Sequence, residues 1–237
     1  MPRRFPRAPA WLGVESPSDA REKWLGAIGA FVGIASTILV NTLITGNTQP
    51  IITGAMGATA VLLFAVPHGA LSQPWPVAGG HLVSAIVGVL CAKSITDPTI
   101  AASAAVALAV FAMAILRCLH PPGGATALIA VIGGSDIHSL GFAYILDPVM
   151  LDATLILMIA VAFNSAFAWR RYPAAWSYLD EPSPTALPVD IEHEDIQAAL
   201  AEIGWVVDVT EADLKRLFGL TMAHAMIRTG KMPSGRP

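Results

Sequence analysis

Charge is nearly absent from the middle of this chain. Of its 237 residues, those from 24 to 177 include only Lys93, Arg117, Arg170, Arg171, Asp97, Asp136, Asp147 and Asp152 as charged groups, and no glutamate. Soluble domains carry roughly a quarter charged residues, so this stretch is not the sequence of a soluble domain. Cysteine is also scarce. Cys91 and Cys118 both lie in apolar surroundings, which excludes a disulfide framework and reads as two small buried side chains. No Cys-x-x-Cys or His-x-x-x-His spacing occurs, so no metal centre is expected. A P-loop, a dinucleotide fingerprint and a nucleophile motif are likewise missing. No catalytic residue, no cofactor and no nucleic-acid partner are therefore expected, and the chain is not read as an enzyme. No apolar run follows Arg3-Arg4 at signal-peptide spacing, and Pro2, Pro6, Pro9 and Pro17 suggest a disordered basic arm over residues 1–23 rather than a cleaved leader.

What the middle does contain is apolar. The mean hydropathy of the whole chain is +0.61, and six apolar segments can be drawn: 24–44, 51–66, 77–95, 100–116, 123–132 and 149–169. Four are long enough to cross a hydrocarbon core of about 30 Å, whereas ten helical residues reach only about 15 Å. The second and fifth segments resemble each other. One reads Gly57-Ala58-Thr59-Ala60-Val61-Leu62 and the other Gly124-Ala125-Thr126-Ala127-Leu128-Ile129. The pattern predicts two related halves of three segments, 24–95 and 98–170, each with a short half-helix. Paired short, glycine-interrupted segments of that kind point to the binding site of a transporter.

The expected fold is all-α: a multi-pass transmembrane helical bundle of four to six membrane segments over residues 24–173. A proline-rich linker follows over 174–190, then a short amphipathic helical tail over 191–237. In the tail, 196–203 and a second helix from Thr210, with Asp213 at its capping-box position, carry the stripe Leu214, Leu217, Phe218, Met222 and Met226. Arg21 and Lys23 before the first segment, and Arg170 and Arg171 after the sixth, place both flanks in the cytoplasm, most simply at the plasma (inner) membrane. Six crossings would put Arg117 inside and Lys93 outside. Four crossings with re-entrant short segments would reverse the two.

One segment interrupts the apolar pattern: Arg117-Cys118-Leu119-His120-Pro121-Pro122-Gly123-Gly124-Ala125-Thr126. Two prolines start a helix well, because the donors they lack are unpartnered there anyway. Gly123, Gly124 and Thr126 then open a half-helix whose N-terminus attracts anions. Gly57 and Thr59 offer the same from the other half, and Arg117 and His120 would add positive charge. An intramembrane arginine needs a partner, and Asp152 is a candidate counter-ion or proton carrier. His81 and His68 are candidates to carry a proton. The structural alternatives stay open: a helix break needed for packing, an arginine snorkelling to the interface, and hydrogen-bonded core histidines.

The run from Arg117 to Thr126 resembles the signature of the HPP family of integral membrane proteins, named for the residues found here as His120-Pro121-Pro122. The resemblance spans about residues 20–173. It takes in the stretch from Gly54 to Phe64, then Gln73-Pro74-Trp75-Pro76, then Gly79-Gly80-His81. Family members are described as having four membrane-spanning helices, and some plant and cyanobacterial members are nitrite transporters. The resemblance therefore implies passage of a small inorganic anion, with nitrite the leading candidate. Many bacterial members continue into a pair of CBS domains. The tail over 191–227 is similar to the segment leading into them, but the chain stops at Pro237, so nucleotide-regulated transport is not assigned. The partners expected are the lipid bilayer and a small anion, with a second copy of the chain left open. The rival reading from another class is a membrane sensor or scaffold that signals through its tail.

Overall fold

The computed structural model describes residues 20–46, 54–178, 191–203 and 211–229. All regular structure among them is helical. The first helix, α1 (Ala20–Thr45), shows why the chain needs lipid. It buries Gly26, Gly29, Gly33, Thr37 and Asn41 and exposes Trp24, Phe31, Leu39 and Leu43. Small and polar residues inside with large apolar residues outside is the reverse of a soluble helix, and it is the pattern of a helix packed in a bilayer. Helix α2 (Gly54–Ala65) lies antiparallel against that small-residue face. The Phe64 ring fills the groove over Gly29 and Gly33: a Cβ at Gly29 would come within 2.6 Å of it.

Four spans are long and apolar enough to cross a membrane: α1, α3 (Pro74–Ser94), α4 (Pro98–Ile115), and the stretch Ile145–Ser165. The last opens with a wide turn over Ile145–Met150, where Asp147 is extended, and continues as α7 (Leu151–Ser165). Helices α2 and α5 (Pro121–Ile132) have 12 residues each, about 18 Å of rise. After α5, Gly133 and Gly134 break the chain into the short α6 (Gly134–Leu140).

Contacts at the two ends of the bundle fix the direction of every helix. At one end, Trp75 Nε1 donates to Leu116 O at 3.1 Å and Tyr172 Oη donates to Ser72 O at 2.7 Å. His68 Nε2 donates to Arg171 O there, at 3.0 Å. Glu22 meets Arg170 at the same end. At the other end Asn41 reaches Asp152, and Lys93 lies over the Phe142 ring. The chain therefore reverses at every connection, and α2 and α5 run between the ends in the alternating sense. The six-segment alternation holds, with two of the six segments too short to span alone. Arg117 lies at the end that holds the start of α1, and Lys93 at the opposite end.

Three helices per half is an odd number, so the second half (α4, α5, α7) repeats the first (α1, α2, α3) in inverted orientation. Helix α3 runs parallel to α5, with Gly80 beside Cys118 and His120, and Gly88 beside Ala127 and Ala130. Helix α4 packs through Ala101, Ala105, Ala109 and Met113, one buried residue per turn. Its cap is Asp97, whose Oδ1 accepts from Ile100 N at 2.9 Å.

Boundaries differ from the sequence expectations in small ways. Ala20 to Lys23 belong to α1 rather than to an arm, and the start of the linker region forms a 3-10 turn at Ala174–Tyr178. The rest of residues 1–19 and the part of the linker from 179 to 190 lie outside the described residues. The tail forms α8 (His193–Ile203) and α9 (Glu211–Arg228). They are joined by a 2.5 Å His193–Glu211 contact. Thr210 and the Asp213 side chain lie outside the described residues. Of the expected stripe, Leu217, Phe218 and Met222 are exposed.

Candidate functional site: a threonine–histidine chain between the short helices

The break after α4 is built by backbone geometry. Cys118 N donates to Met113 O at 2.9 Å and Arg117 N to Ala114 O at 3.2 Å, the two bonds of a Schellman motif. The motif demands a left-handed residue, and Arg117 takes it at φ 53°, where glycine is usual. This turn leaves the Arg117 side chain exposed. His120 then precedes α5 in extended conformation, with Pro121 and Pro122 in the first helical turn.

The motif and the repeat converge on one histidine. His81, from α3, is fully buried, as are Thr59, His120 and Thr126. Thr59 Oγ1 lies 2.8 Å from His81 Nε2, and Thr126 Oγ1 lies 2.8 Å from His81 Nδ1. Thr59 Oγ1 also lies 3.1 Å from His120 Nε2, and His120 Nδ1 lies 2.9 Å from Leu71 O. Each threonine is the sixth residue of its helix, counted from Gly54 or Pro121. The sequence-level match of Gly57-Ala58-Thr59 with Gly124-Ala125-Thr126 thus becomes two hydroxyls holding the two nitrogens of one ring.

Donor chemistry orients this chain. Leu71 O only accepts, so His120 Nδ1 carries a hydrogen. With His120 neutral, its Nε2 accepts the Thr59 hydroxyl. Thr59 then accepts from His81 Nε2–H, and His81 Nδ1 accepts from the Thr126 hydroxyl. Every ring nitrogen is satisfied, and each hydroxyl uses its single hydrogen once. Each hydroxyl also has a backbone alternative one turn back: Pro122 O at 3.4 Å for Thr126, and Ala55 O at 3.0 Å for Thr59. Among the described residues no carboxylate bonds either ring.

Gly123 of the motif and Gly80 of α3 serve packing. A Cβ at Gly123 would come within 2.7 Å of Ser84 Oγ and 2.9 Å of Met113 Sδ, and one at Gly80 within 2.6 Å of His120 Cβ. Gly123 N–H is occupied by His120 O at 2.8 Å. Gly124 is half-buried, with Val106 at 4.0 Å from such a Cβ, and Gly57 is exposed with nothing within 4 Å. The helix midpoints, through their hydroxyls, form the centre; the expected opposed helix N-termini do not meet there, because α2 and α5 pass each other side by side.

Asp152 is not the counter-ion of Arg117. It sits at the opposite end, fully buried, with Oδ1 accepting from Asn41 Nδ2 at 2.6 Å. Its Oδ2 has no partner among the described residues. Among the described residues the buried cation is Arg170, read from sequence only as a topology marker. It is 2 % exposed and pairs with Glu22. It also donates to Phe64 O at 2.6 Å and to Asn164 Oδ1 at 3.1 Å. A cation there faces the negative C-terminal end of α2, and Asn164 assists by donating to Leu63 O at 3.0 Å. The intramembrane polar residues Asn41 and Asn164 thus make the interhelical bonds expected of them.

A cleft of about 200 Å³ opens near the end that carries Lys93, lined by Lys93, His138, Gly141 and Tyr144 among others. Tyr144 is fully buried and its Oη donates to Thr126 O at 3.0 Å. The cleft therefore ends one residue from the threonine–histidine chain. Tyr144 was invisible to sequence reasoning, since a lone tyrosine after a glycine-rich turn carries no periodic signal.

Inverted three-helix halves, lipid-facing apolar surfaces and a buried polar centre define an integral, multi-pass α-helical membrane protein. The family model for the HPP transmembrane region matches residues 15–173, and the chain belongs to the HPP transmembrane family. Two transmembrane proteins of Dictyostelium discoideum are similar to it. One is 34 % identical over 174 residues, covering 70 % of this chain and 56 % of the relative. The other is 33 % identical over 176 residues, covering 70 % and 61 %. The chain thus spans less than two thirds of the length of these relatives. No solved structure matches it significantly.

Proposed function

We propose that the protein passes a small inorganic anion, nitrite the leading candidate, across the bilayer at the interface of its inverted halves. The observation that carries this reading is the clasp of His81 by Thr59 and Thr126. It gathers hydroxyl and imidazole groups from both halves, with no carboxylate bonded to them. A buried polar cluster in a membrane interior is costly unless it has a use, and one free of fixed negative charge suits an anion. His120, Thr59 and Thr126 are the residues assigned to bind it, with Gly123 keeping α5 close to its neighbours. Arg117 adds positive potential at one mouth, and Lys93 at the other.

The distribution of basic residues between the two ends supports an orientation with both flanks cytoplasmic. Arg21, Lys23, Arg117, Arg170 and Arg171 share one end, against Lys93 at the other. The positive-inside rule makes the first end cytoplasmic. A cysteine in place of Arg117 should react with an impermeant thiol reagent only from the cytoplasmic side, and one in place of Ser135 only from the outside.

Nitrite flux into proteoliposomes tests the function, at a pH high enough to suppress leak of neutral nitrous acid. Saturable flux above empty vesicles, abolished in folded His120→Ala, is the expected result. No flux from folded wild-type protein would set the transport reading aside. Weight would then move to the sensor reading, which the exposed Leu217, Phe218 and Met222 of α9 favour. That reading expects a stable partner lost on deleting 191–237.

A further inference from the structure

We propose that Thr126, His81, Thr59 and His120 form a proton relay, so that a proton accompanies the anion through this site. The inference rests on the transport reading, and deepens it by naming the coupled ion.

Three observations support it. The first is continuity. Four fully buried side chains form an unbroken line of hydrogen bonds of 2.8, 2.8 and 3.1 Å, and every link is a group that both gives and receives a proton. The second is that both ends approach accessible positions. Thr126 sits beneath Tyr144, which lines the cleft at the Lys93 end. His120 ends on the carbonyl of Leu71, half-buried in the Ala70–Ser72 turn at the opposite end. The third is that the rings face each other at 5.0 Å between centroids, tilted by 66°. Among the described residues the rings bond Thr59, Thr126 and the Leu71 carbonyl, and the titratable side chain in ring contact with each is the other histidine. Two imidazolium ions that close in a dry interior repel strongly, so the pair holds one extra proton at a time.

The transfer balances. A hydronium ion in the cleft gives a proton to Thr126 Oγ1 as the original Thr126 hydroxyl proton passes to His81 Nδ1, so that one O–H bond forms and one breaks at Thr126. An N–H bond forms at His81 Nδ1. The His81 Nε2–H bond breaks as its proton passes to Thr59 Oγ1, and the original Thr59 hydroxyl proton passes to His120 Nε2. His81 ends neutral in its other tautomer, and His120 ends as imidazolium. Release of the Nδ1 proton to water at the Leu71 end, followed by ring and hydroxyl reorientation, resets the line. One positive charge has moved, and no net bond has been made or lost. In transit that charge supplies what the neutral cluster lacks, a cation for the anion to bind.

The test uses wild type, Thr59→Val, which removes the linking hydroxyl, and Thr59→Ser, which restores it. Each is read as the ratio of gradient-driven uptake to gradient-free exchange in the same protein, because Thr59 is also assigned to bind the anion. Proteoliposomes are given equal labelled nitrite on both sides and an inward-directed proton gradient. Wild type and Thr59→Ser should accumulate label inside, while Thr59→Val should lose at least tenfold in that ratio. Wild-type nitrite exchange that ignores the proton gradient would overturn the relay and leave transport standing. Should wild type move no nitrite at all, the transport reading fails, and a second measurement still decides the relay. Nitrogen NMR of imidazole-labelled protein across a pH series should show His81 and His120 changing together as one proton loads the pair, and separately in Thr59→Val. Independent changes in wild type would overturn it.

Discussion

Thr59 and Thr126 occupy the same triplet position in two antiparallel helices and bind opposite nitrogens of His81. Neither threonine touches a ring of its own helix. An inverted repeat supplies this arrangement directly: a residue repeated in both halves approaches the shared interface from opposite directions, and a ring with two nitrogens fits between the copies.

The packing role assigned to Gly123 separates it from Gly57, the glycine of the other half's Gly-Ala-Thr triplet. Gly123→Val should cost roughly 1–3 kcal/mol through overpacking against Ser84 and Met113, read as a lower melting temperature in detergent. Gly57→Ala, facing open space, should be neutral or raise stability by about 0.5–1 kcal/mol, because alanine is the better helix former. Equal losses in both variants would contradict the assignment.

Arg170 gives the largest single effect expected. Arg170→Ala leaves Glu22, Phe64 O and Asn164 Oδ1 without their shared cation. Breaking a buried pair costs roughly 3–5 kcal/mol, at the low end here because Glu22 is 32 % exposed. Arg170→Lys should recover only part of this, since one ammonium does not reproduce the guanidinium fork. Thermal unfolding of the three proteins checks both statements.

At Arg117 the backbone makes the reverse prediction. A left-handed non-glycine residue carries strain of roughly 1–2 kcal/mol, so Arg117→Gly should raise thermal stability by up to about 1 kcal/mol. If the melting temperature falls instead, the side chain makes a stabilising contact that outweighs the strain.

Among the described residues, Asn41 is the single hydrogen-bond donor to the buried Asp152 carboxyl. Asn41→Ala should cost about 1–3 kcal/mol by leaving that group unpartnered. Adding Asp152→Leu should return part of the loss, and a double-mutant cycle gives the coupling. Strict additivity would show that the two residues do not stabilise each other.

Much of this protein was legible before any coordinates. The scarcity of charge from 24 to 177 set the solvent, segment lengths set which helices cross, and Pro121-Pro122 set where α5 begins. Each is a local property, decided by hydropathy or by a backbone rule that acts over one turn. The glycine-alanine-threonine triplets announced the repeat. Other features needed the tertiary fold, because they depend on direction and on partners far apart in sequence. Basic residues alone left four and six crossings open. The pairing of Trp75 with Leu116 and of Tyr172 with Ser72 brought the connecting turns to one end and set the alternating direction of the six segments. Arg117 and Arg170 are the same amino acid at the edge of apolar runs. A left-handed turn sends the first to the surface, and three helix ends close over the second. His81 looked like one intramembrane histidine among several until the inverted halves set a threonine on each of its nitrogens, across 22 residues on one side and 45 on the other.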